Sequence, residues 1–400
     1  MSTTMNGNID SGTIERILEL ARWAPSGDNM QTWRFEVNAP DQLAVHAYDT
    51  RDHCVYDLDG HPSQIAFGTL LETIAIAASG HGLRAEIRRR PEGRATHPIF
   101  DVRFTADAAL TRDPLIDVIS ARTVQRRPMR TTALTAEHKR LLEATVAPGF
   151  APTWLESRAQ KWQAAKLMFN NARLRLTMPE AFETHRSIID WDNRTESPDK
   201  VPAGALGVDA MTLHLMKWAM VSWRRMKTVN TLMGTWAPRL QMDLAPGMAC
   251  AAHFVLKAHQ APQSIDDYVA AGRALQRFWL TMTTLGLYMQ PEMTPLIFSK
   301  YAREGTRFSA EPKLEAAAQA LRRETEALIF TDSLAPVYMG RLGYGPAPAA
   351  RSVRRPLDEL GPYGALLRSY HLVFAREASE LAPAIEALRR AVSRNPAFGL

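Results

Sequence analysis

A loop of small and polar residues near the N-terminus has side chains that could hold a ligand. It lies in the stretch RWAPSGDNMQTWRF, where a helical pattern stops at Pro25. Gly27 would let a ligand approach the backbone, and Ser26, Asn29 and Gln31 could donate to and accept from a heteroaromatic edge. The same composition is typical of an ordinary turn after a helix. The residues alone therefore leave two interpretations, a ligand contact and a turn.

Two basic clusters further along the chain could bind a phosphate. They are SARTVQRRPMR at 120–130 and RSVRRP at 351–356. Guanidinium groups match phosphate oxygens geometrically, and a threonine hydroxyl adds a neutral donor. The candidate phosphate ligands are Arg122, Thr123, Arg126, Arg354 and Arg355. The alternative is that these arginines are solvated surface charges.

Composition limits the class of protein. The chain has 400 residues, 46% of them hydrophobic, and two cysteines. Its apolar stretches fall short of the roughly 20 residues that a membrane span needs, and its start lacks a signal-peptide pattern. The net charge of +6 suits an anionic small-molecule ligand better than nucleic acid, which needs a denser basic surface. We expect a cytoplasmic protein with no membrane or nucleic-acid partner.

Other chemical motifs are weak. The sequence has no glycine-rich nucleotide loop, no HExxH and no paired cysteines, so no metal site is predicted. His253 lies in the apolar run MACAAHFVLK and is interpreted as a core residue. Asp190, Asp192 and Glu196 could form a carboxylate site, although a solvated loop is the simpler interpretation. The Trp and Met residues of LHLMKWAMVSWRRM recur at helical spacing and are interpreted as core.

The chain contains an internal repeat. AFGTLLETIAIAASGHGL at 66–83 aligns without a gap with AAGRALQRFWLTMTTLGL at 270–287, and Gly68 meets Gly272. Both segments are apolar almost all round, which predicts central helices, and each glycine would allow a neighbouring element to approach closely. Upstream, each copy has an amphipathic helix, Ala-Pro and Thr-Trp. Downstream, each half is predicted to end in a strand, IFDVRF and VYMGRLGY.

The two halves have lost complementary parts. The loop after the second Ala-Pro is two residues shorter and lacks the Ser, Asn and Gln of the first, whereas both arginine clusters belong to the second half. A symmetric pair of halves has two equivalent clefts, each built from both halves. One cleft would collect the polar loop and the arginines, and the other would collect neither. The sequence therefore predicts one working site per chain.

These residues resemble a known family. APSGDNMQTW resembles the flavin-contacting segment of the nitroreductase family, usually Ala-Pro-Ser, a few residues, Asn and then Gln-Pro-Trp, with Thr32 in place of the proline. RTVQRRP resembles the family's arginine-Ser/Thr-arginine phosphate grip with one extra residue, and RRPLDEL resembles its C-terminal arginine segment. Pro291 and Glu292 match the position of the family's Pro-x-Glu-Gly loop over the flavin N5, with Met293 in place of the glycine.

The resemblance implies an α+β fold in which two nitroreductase-like halves, each a mixed sheet flanked by helices, form an intrachain pseudo-dimer. This is the arrangement of the tandem, Acg-type branch. We expect a first half at 1–112, a second half at 113–360 with an insertion or lid at 170–209, and a helical tail at 361–400. Because the pseudo-dimer is intrachain, the protein could be a monomer.

The resemblance also implies a cofactor and an activity. FMN would bind at Pro25, Ser26, Gly27, Asn29, Gln31, Arg122, Thr123, Arg126, Pro291, Glu292, Arg354 and Arg355, with no catalytic side chain and with backbone near Glu292 facing N5. The implied activity is hydride transfer from NAD(P)H through FMN to an electron-poor small molecule. Two alternatives stay open, a protein that sequesters FMN under a lid and a specialised biosynthetic oxidase.

Overall fold

The first half of the protein is a small antiparallel sheet with two helices. The computed structural model describes residues 11–361. The elements of this half are α1 (Ser11–Ala21), β1 (Trp33–Ala39), β2 (Gln42–Ala47), α2 (His61–Ser79), β3 (Leu83–Arg89) and β4 (Ile99–Ala106). The apolar face of α1, with Ile14 and Ile17, packs into the same core as α2 and the sheet. The helix and strand predicted at each end of this half are confirmed.

The second half repeats this order and adds further helices. It begins with α3 (Ala136–Val146), β5 (Phe150–Leu155), α4 (Arg158–Leu176) and α5 (Pro179–Ile188). Short strands β6 (Ile189–Asp190), β7 (Glu196–Ser197) and β8 (Val201–Pro202) precede α6 (Ala210–Ala219), α7 (Trp223–Met233), α8 (Trp236–Arg239) and α9 (Ala245–Met248). The remaining elements are β9 (Ala252–Ala258), α10 (Ile265–Thr284), β10 (Leu287–Pro291), α11 (Thr294–Glu304), α12 (Pro312–Ile329), β11 (Ala335–Tyr344) and β12 (Arg351–Ser352).

The two main sheets have the same topology. The first has the strand order β1-β2-β4-β3 and the second β5-β9-β11-β10. In chain order, β1, β2, β3 and β4 correspond to β5, β9, β10 and β11, and a long helix follows the second strand in both sheets. All their main pairings are antiparallel. The predicted α+β architecture of two sheets flanked by helices is confirmed, but the paired strands of both sheets are antiparallel rather than mixed as predicted.

The two halves meet where α2 crosses α10. A Cβ added to Gly68 would overlap the Val269 carbonyl oxygen, and one added to Gly272 would overlap the Ile65 carbonyl oxygen. Each glycine also lies against the other's Cα. Only residues without a side chain allow two backbones to come this close. The repeat predicted from the aligned glycines therefore marks the crossing point of the halves.

The insertion in the second half is larger than predicted. The first half joins β1 to β2 through a tight turn, whereas residues 156–251 lie between β5 and β9. The sequence predicts an insertion at 170–209 because turn formers and charges concentrate there, but helix α4 already begins the added region. The short strands of the predicted lid do lie inside it: β6 pairs with β8, and β7 pairs with β12 from the C-terminal part.

The predicted core role of the Trp- and Met-rich segment is only partly correct. Met220 and Met226 are buried, but Trp218 is 46% exposed. Helical periodicity predicted one apolar face, and it could not show that a second apolar face would stay uncovered. The predicted helical tail at 361–400 lies, apart from Gly361, outside the described residues.

Candidate functional site

The polar loop after α1 has an unusual backbone. Asp28, Asn29 and Gln31 have positive φ angles of 51°, 64° and 51°. Few non-glycine residues adopt this left-handed region, and such strain persists only where the surroundings impose it. The loop is anchored on α2 because the Thr69 hydroxyl donates to the Pro25 carbonyl at 2.8 Å. The space beside the Gly27 backbone is open, since an added Cβ there would meet no atom within 4 Å.

Two arginines from the predicted clusters converge on the start of this loop. Arg122 donates from Nη2 to the Trp23 carbonyl at 3.0 Å, and Arg354 donates from Nε to the Ala24 carbonyl at 3.0 Å. Arg122 and Arg354 are only 3% and 8% exposed. Among residues 11–361, no carboxylate forms an ion pair with either one. Buried charges are normally paired, so this pair of cations is suited to an anion that the protein itself does not supply.

The electrostatics of these arginines agree with that geometry. Burial, together with the nearby Arg351, lowers the pKa of Arg122 to about 9. Burial also holds the pKa of Arg354 well below its ordinary value, with Arg122, Arg351 and Arg22 adding to the effect. The Nε of Arg122 is buried without a hydrogen-bond partner. An anion bound here would relieve both the repulsion and the unsatisfied donor.

A segment of the insertion lies on the loop. We call residues 196–202 the strap. Asn29 donates from Nδ2 to the Ser197, Lys200 and Val353 carbonyls at 3.1–3.4 Å. Gln31 donates from Nε2 to the Pro198 carbonyl at 2.8 Å and accepts from the Arg355 N–H at 3.0 Å. The side chains of Asn29 and Gln31 therefore hold the strap and the C-terminal segment on the polar loop.

The other three predicted phosphate ligands have different surroundings from the buried pair. The Arg355 guanidinium reaches toward Asp199, with 3.5 Å between Nη2 and Oδ2. Arg126 interacts electrostatically with Asp28 of the polar loop and with Arg341. Thr123 is half-buried beside Arg122. The sequence placed all these residues near one another but could not show which guanidinium groups would already be engaged.

Glu292 belongs to a buried ionic network. Its carboxylate lies 2.6 Å from His253 Nδ1 and 3.1 Å from Arg341 Nη1, and the His253 Nε2 lies 2.8 Å from the Gly247 carbonyl. Burial opposes the charge on His253, but the Glu292 carboxylate outweighs it and raises the His253 pKa to about 10. The backbone N–H of Glu292 donates to the Met339 carbonyl, and Pro291 is the last residue of β10. The predicted backbone donor at Glu292 is thus used within the sheet.

Several buried polar residues beside this network were not predicted. Arg175, from α4, donates to Asp243 at 3.1 Å, and burial raises the Asp243 pKa to about 6. Tyr56 and His185 are hydrogen-bonded at 2.9 Å, and burial together with Arg175 lowers the His185 pKa to about 3. These pairs join segments that are far apart in the sequence, so no local sequence pattern predicts them.

The second cleft lacks comparable groups. Its loop, from Ala147 to Phe150, follows α3 and enters β5 directly, and an added Cβ at Gly149 would meet no atom within 4 Å. After β4, residues 107–112 contain one arginine, Arg112, and it pairs with Asp117. Within residues 11–361, no group of His, Cys, Asp and Glu could hold a metal ion.

Comparisons with known proteins bear on the region around the polar loop. Residues 4–84 match the model of the nitroreductase family. Over these residues the chain is similar to the nitroreductase family, and we call 4–84 the nitroreductase-family region. Within the described residues, the nitroreductase-family region runs from α1 to the start of β3, so it includes both the polar loop and α2. No curated protein matches the sequence.

Two solved structures are similar to the chain. A nitroreductase-like family protein from Bacillus cereus has 14% identity and a TM-score of 0.31, with 63% of this chain and 96% of that chain covered. Oxidized iodotyrosine deiodinase, bound to FMN and 3-iodo-L-tyrosine, has 15% identity and a TM-score of 0.31, with 60% of this chain and 95% of that chain covered.

Proposed function

We propose that the protein binds one FMN in the cleft between the polar loop and the second-half arginines and acts as an oxidoreductase. The proposed reductant is NADH or NADPH, and the proposed acceptor is an electron-poor small molecule. When bound, FMN would supply hydride-transfer chemistry at N5. The proposal rests on the family of the loop region and on the buried arginine pair.

The observation that carries the proposal is the pair Arg122 and Arg354. Both are buried, neither has a carboxylate partner within residues 11–361, and both lie on the loop of the nitroreductase-family region. A phosphate monoester provides the anion and the acceptor oxygens that this donor set lacks. The residues present therefore fit the phosphate end of FMN.

The chain's own residues would bind and orient the cofactor. Arg122 and Arg354 would hold its phosphate, and the open side of Gly27 would let the ring approach the backbone. Arg126 interacts electrostatically with Asp28 of the same loop and would place positive charge near the ring. Fixed positive charge stabilises an anionic reduced ring, and no side chain is needed as a general base.

A second function is favoured by the strap. It lies on the polar loop through Asn29 and Gln31, which are 5% and 0% exposed. A loop covered in this way restricts access to whatever binds beneath it. This arrangement favours the alternative that the protein sequesters FMN rather than turning it over.

Anaerobic reduction distinguishes the two functions. Purified protein loaded with FMN is mixed with NADH or NADPH without oxygen, and loss of the yellow flavin absorbance is followed over time. An oxidoreductase bleaches within seconds, and a sequestering protein bleaches no faster than free FMN in the same buffer. Protein that stays colourless after incubation with FMN would overturn both proposals.

A further inference from the structure

One surface of the insertion exposes apolar side chains. Of the eleven large hydrophobic side chains that are exposed within residues 11–361, seven lie between 211 and 240. They are Met211, Trp218, Val221, Leu232, Met233, Trp236 and Leu240. We call these seven residues the apolar face. Single exposed apolar residues are common on soluble proteins, but such a concentration marks an interaction surface.

The apolar face is continuous across α6, α7 and α8. On α6 and its end, Met211, Trp218 and Val221 share one side at helical spacing. Gln241, which follows Leu240, donates to Asp209 and Thr212 at 2.5 Å and 3.1 Å, so the start of α6 adjoins the end of α8. The Arg225 guanidinium lies 5.0 Å from the Trp218 ring and joins α7 to α6.

The charged residues in the segment that carries the apolar face all have the same sign. Residues 210–240 contain five cationic side chains and no Asp or Glu. The cations are Lys217, Arg224, Arg225, Lys227 and Arg239. Arg239 is buried, and Lys217 forms an exposed pair with Asp192 at 3.3 Å. Arg224, Arg225 and Lys227 are exposed around the apolar side chains.

We propose that the apolar face docks on an anionic lipid surface. Amphipathic helices with Trp, Leu and Met on one side and Lys or Arg beside them lie in the membrane interface, where apolar side chains enter the acyl boundary and cations meet anionic headgroups. None of the helices within residues 11–361 is long and apolar enough to cross a membrane, so the protein would lie on the surface. This proposal revises the sequence-based expectation of no membrane partner, and it does not depend on flavin binding.

Charge argues against two other occupants. A second copy of the apolar face would bring its exposed cations Arg224, Arg225 and Lys227 together. Residues 362–400 carry five arginines and three glutamates, so their net charge has the same sign as that of the apolar face. An anionic partner is complementary to the apolar face. A lipid surface accommodates widely spaced side chains such as Met211 and Leu232 without a matching pocket.

Vesicle flotation with the full chain tests the proposal. Vesicles of phosphatidylcholine alone are compared with vesicles that contain about 30% phosphatidylglycerol, at low and high salt. The patch variant combines Met211→Ser, Leu232→Ser and Met233→Ser. The matched control combines Val37→Ser, Leu141→Ser and Trp162→Ser, which changes three exposed apolar residues elsewhere. Circular dichroism and thermal unfolding establish that both variants are folded.

We expect the wild type and the control to float with anionic vesicles and to be released by salt. The patch variant should bind about tenfold or more weakly, because it loses the apolar transfer of three side chains. Equal binding by the patch variant and the control would overturn the proposal. Wild-type protein that does not bind anionic vesicles would also overturn the proposal. This holds whether the apolar face then forms a dimer that the patch variant abolishes or binds an acidic protein.

Discussion

At the scale of single residues, Arg122 and Arg354 are buried cations for which residues 11–361 provide no carboxylate partner. Each is buried and donates to backbone carbonyls of the polar loop, and burial lowers the pKa of both. A bound phosphate would change the environment of both at once. Their conversion to alanine therefore tests the cofactor site more selectively than changes to the amides, which are already engaged.

Arg122→Ala and Arg354→Ala should each abolish tight FMN retention. Each charge-assisted hydrogen bond contributes roughly 1.5–3 kcal/mol, so losing a bidentate contact weakens binding by a factor of about a hundred or more. The measurement is the FMN dissociation constant from fluorescence titration of apoprotein. Arg88→Ala, at an exposed arginine, is the control and should bind like the wild type. Unchanged affinity in both buried-arginine variants would contradict the assignment.

His253 should make stability depend on pH. Its pKa is about 10 in the folded protein against an ordinary value of 6.5, because burial is outweighed by the Glu292 carboxylate. The stabilisation is fully present below pH 6.5 and is lost as pH rises toward 10. His253→Gln should flatten the free energy of unfolding over this window and lower it by roughly a few kcal/mol at neutral pH.

Denaturant unfolding between pH 6 and pH 10 measures this effect. His214→Gln, at an exposed histidine, is the matched control and should keep the wild-type slope. A variant at His253 that retains the full pH dependence would show that another group causes it.

Residue types predicted burial better than they predicted interaction partners. The sequence placed His253 in the core, and the structure confirms its burial. It gave no sign that the carboxylate of Glu292 would meet His253 and Arg341, because the three residues come from the strands β9 and β11 and the end of β10. Ion pairs between strands that are distant in sequence leave no local sequence pattern from which they could be predicted.

At the scale of elements, the crossing of α2 and α10 joins the two halves. Gly68→Ala or Gly272→Ala would place a methyl group on a carbonyl oxygen of the facing helix. Overpacking of this kind costs about 1–3 kcal/mol, more than the helix-propensity gain of about 1 kcal/mol from replacing glycine by alanine. We expect a lowered unfolding midpoint for either variant in thermal denaturation.

Gly149→Ala is the matched control for that prediction, since an added Cβ there meets nothing within 4 Å. It should leave both the midpoint and the flavin content unchanged. Variants at Gly68 and Gly272 that are as stable as the wild type would mean that the helices cross elsewhere.

The strap gives a second prediction at this scale. Asn29→Ala removes hydrogen bonds to the Ser197, Lys200 and Val353 carbonyls. If the strap restricts access to the cofactor, this variant should be bleached by NADH or NADPH several-fold faster than the wild type. Asn193→Ala, in the loop before the strap, keeps the contacts to the polar loop and is the control. Equal bleaching rates would show that the strap does not limit reduction.

Elements with a strong pattern were predicted well, and added elements were not. The pair α2 and α10 and the strands that end each half were visible because the same pattern occurs twice in the sequence. The insertion has no counterpart in the first half, so its bounds could not be read from the repeat. The exposure of the apolar face also depended on whether another element would cover it.

At the scale of the whole molecule, we propose that two halves of the same sheet topology share one cofactor site. Both sheets have the same strand order, but the buried arginines and the strained polar loop occur in one cleft. The sequence predicted this asymmetry from the distribution of Arg, Asn and Gln between the halves. It could not predict that the amides would bind the strap, because the strap comes from the unmatched insertion.

The ratio of FMN to protein tests this claim most directly. Chain concentration is taken from amino-acid analysis, and FMN is measured after denaturation of protein saturated with the cofactor. We expect one FMN per chain, lost in Arg354→Ala and retained in Gly149→Ala. A ratio of two FMN per chain, or protein that binds no FMN at all, would contradict the single-site proposal.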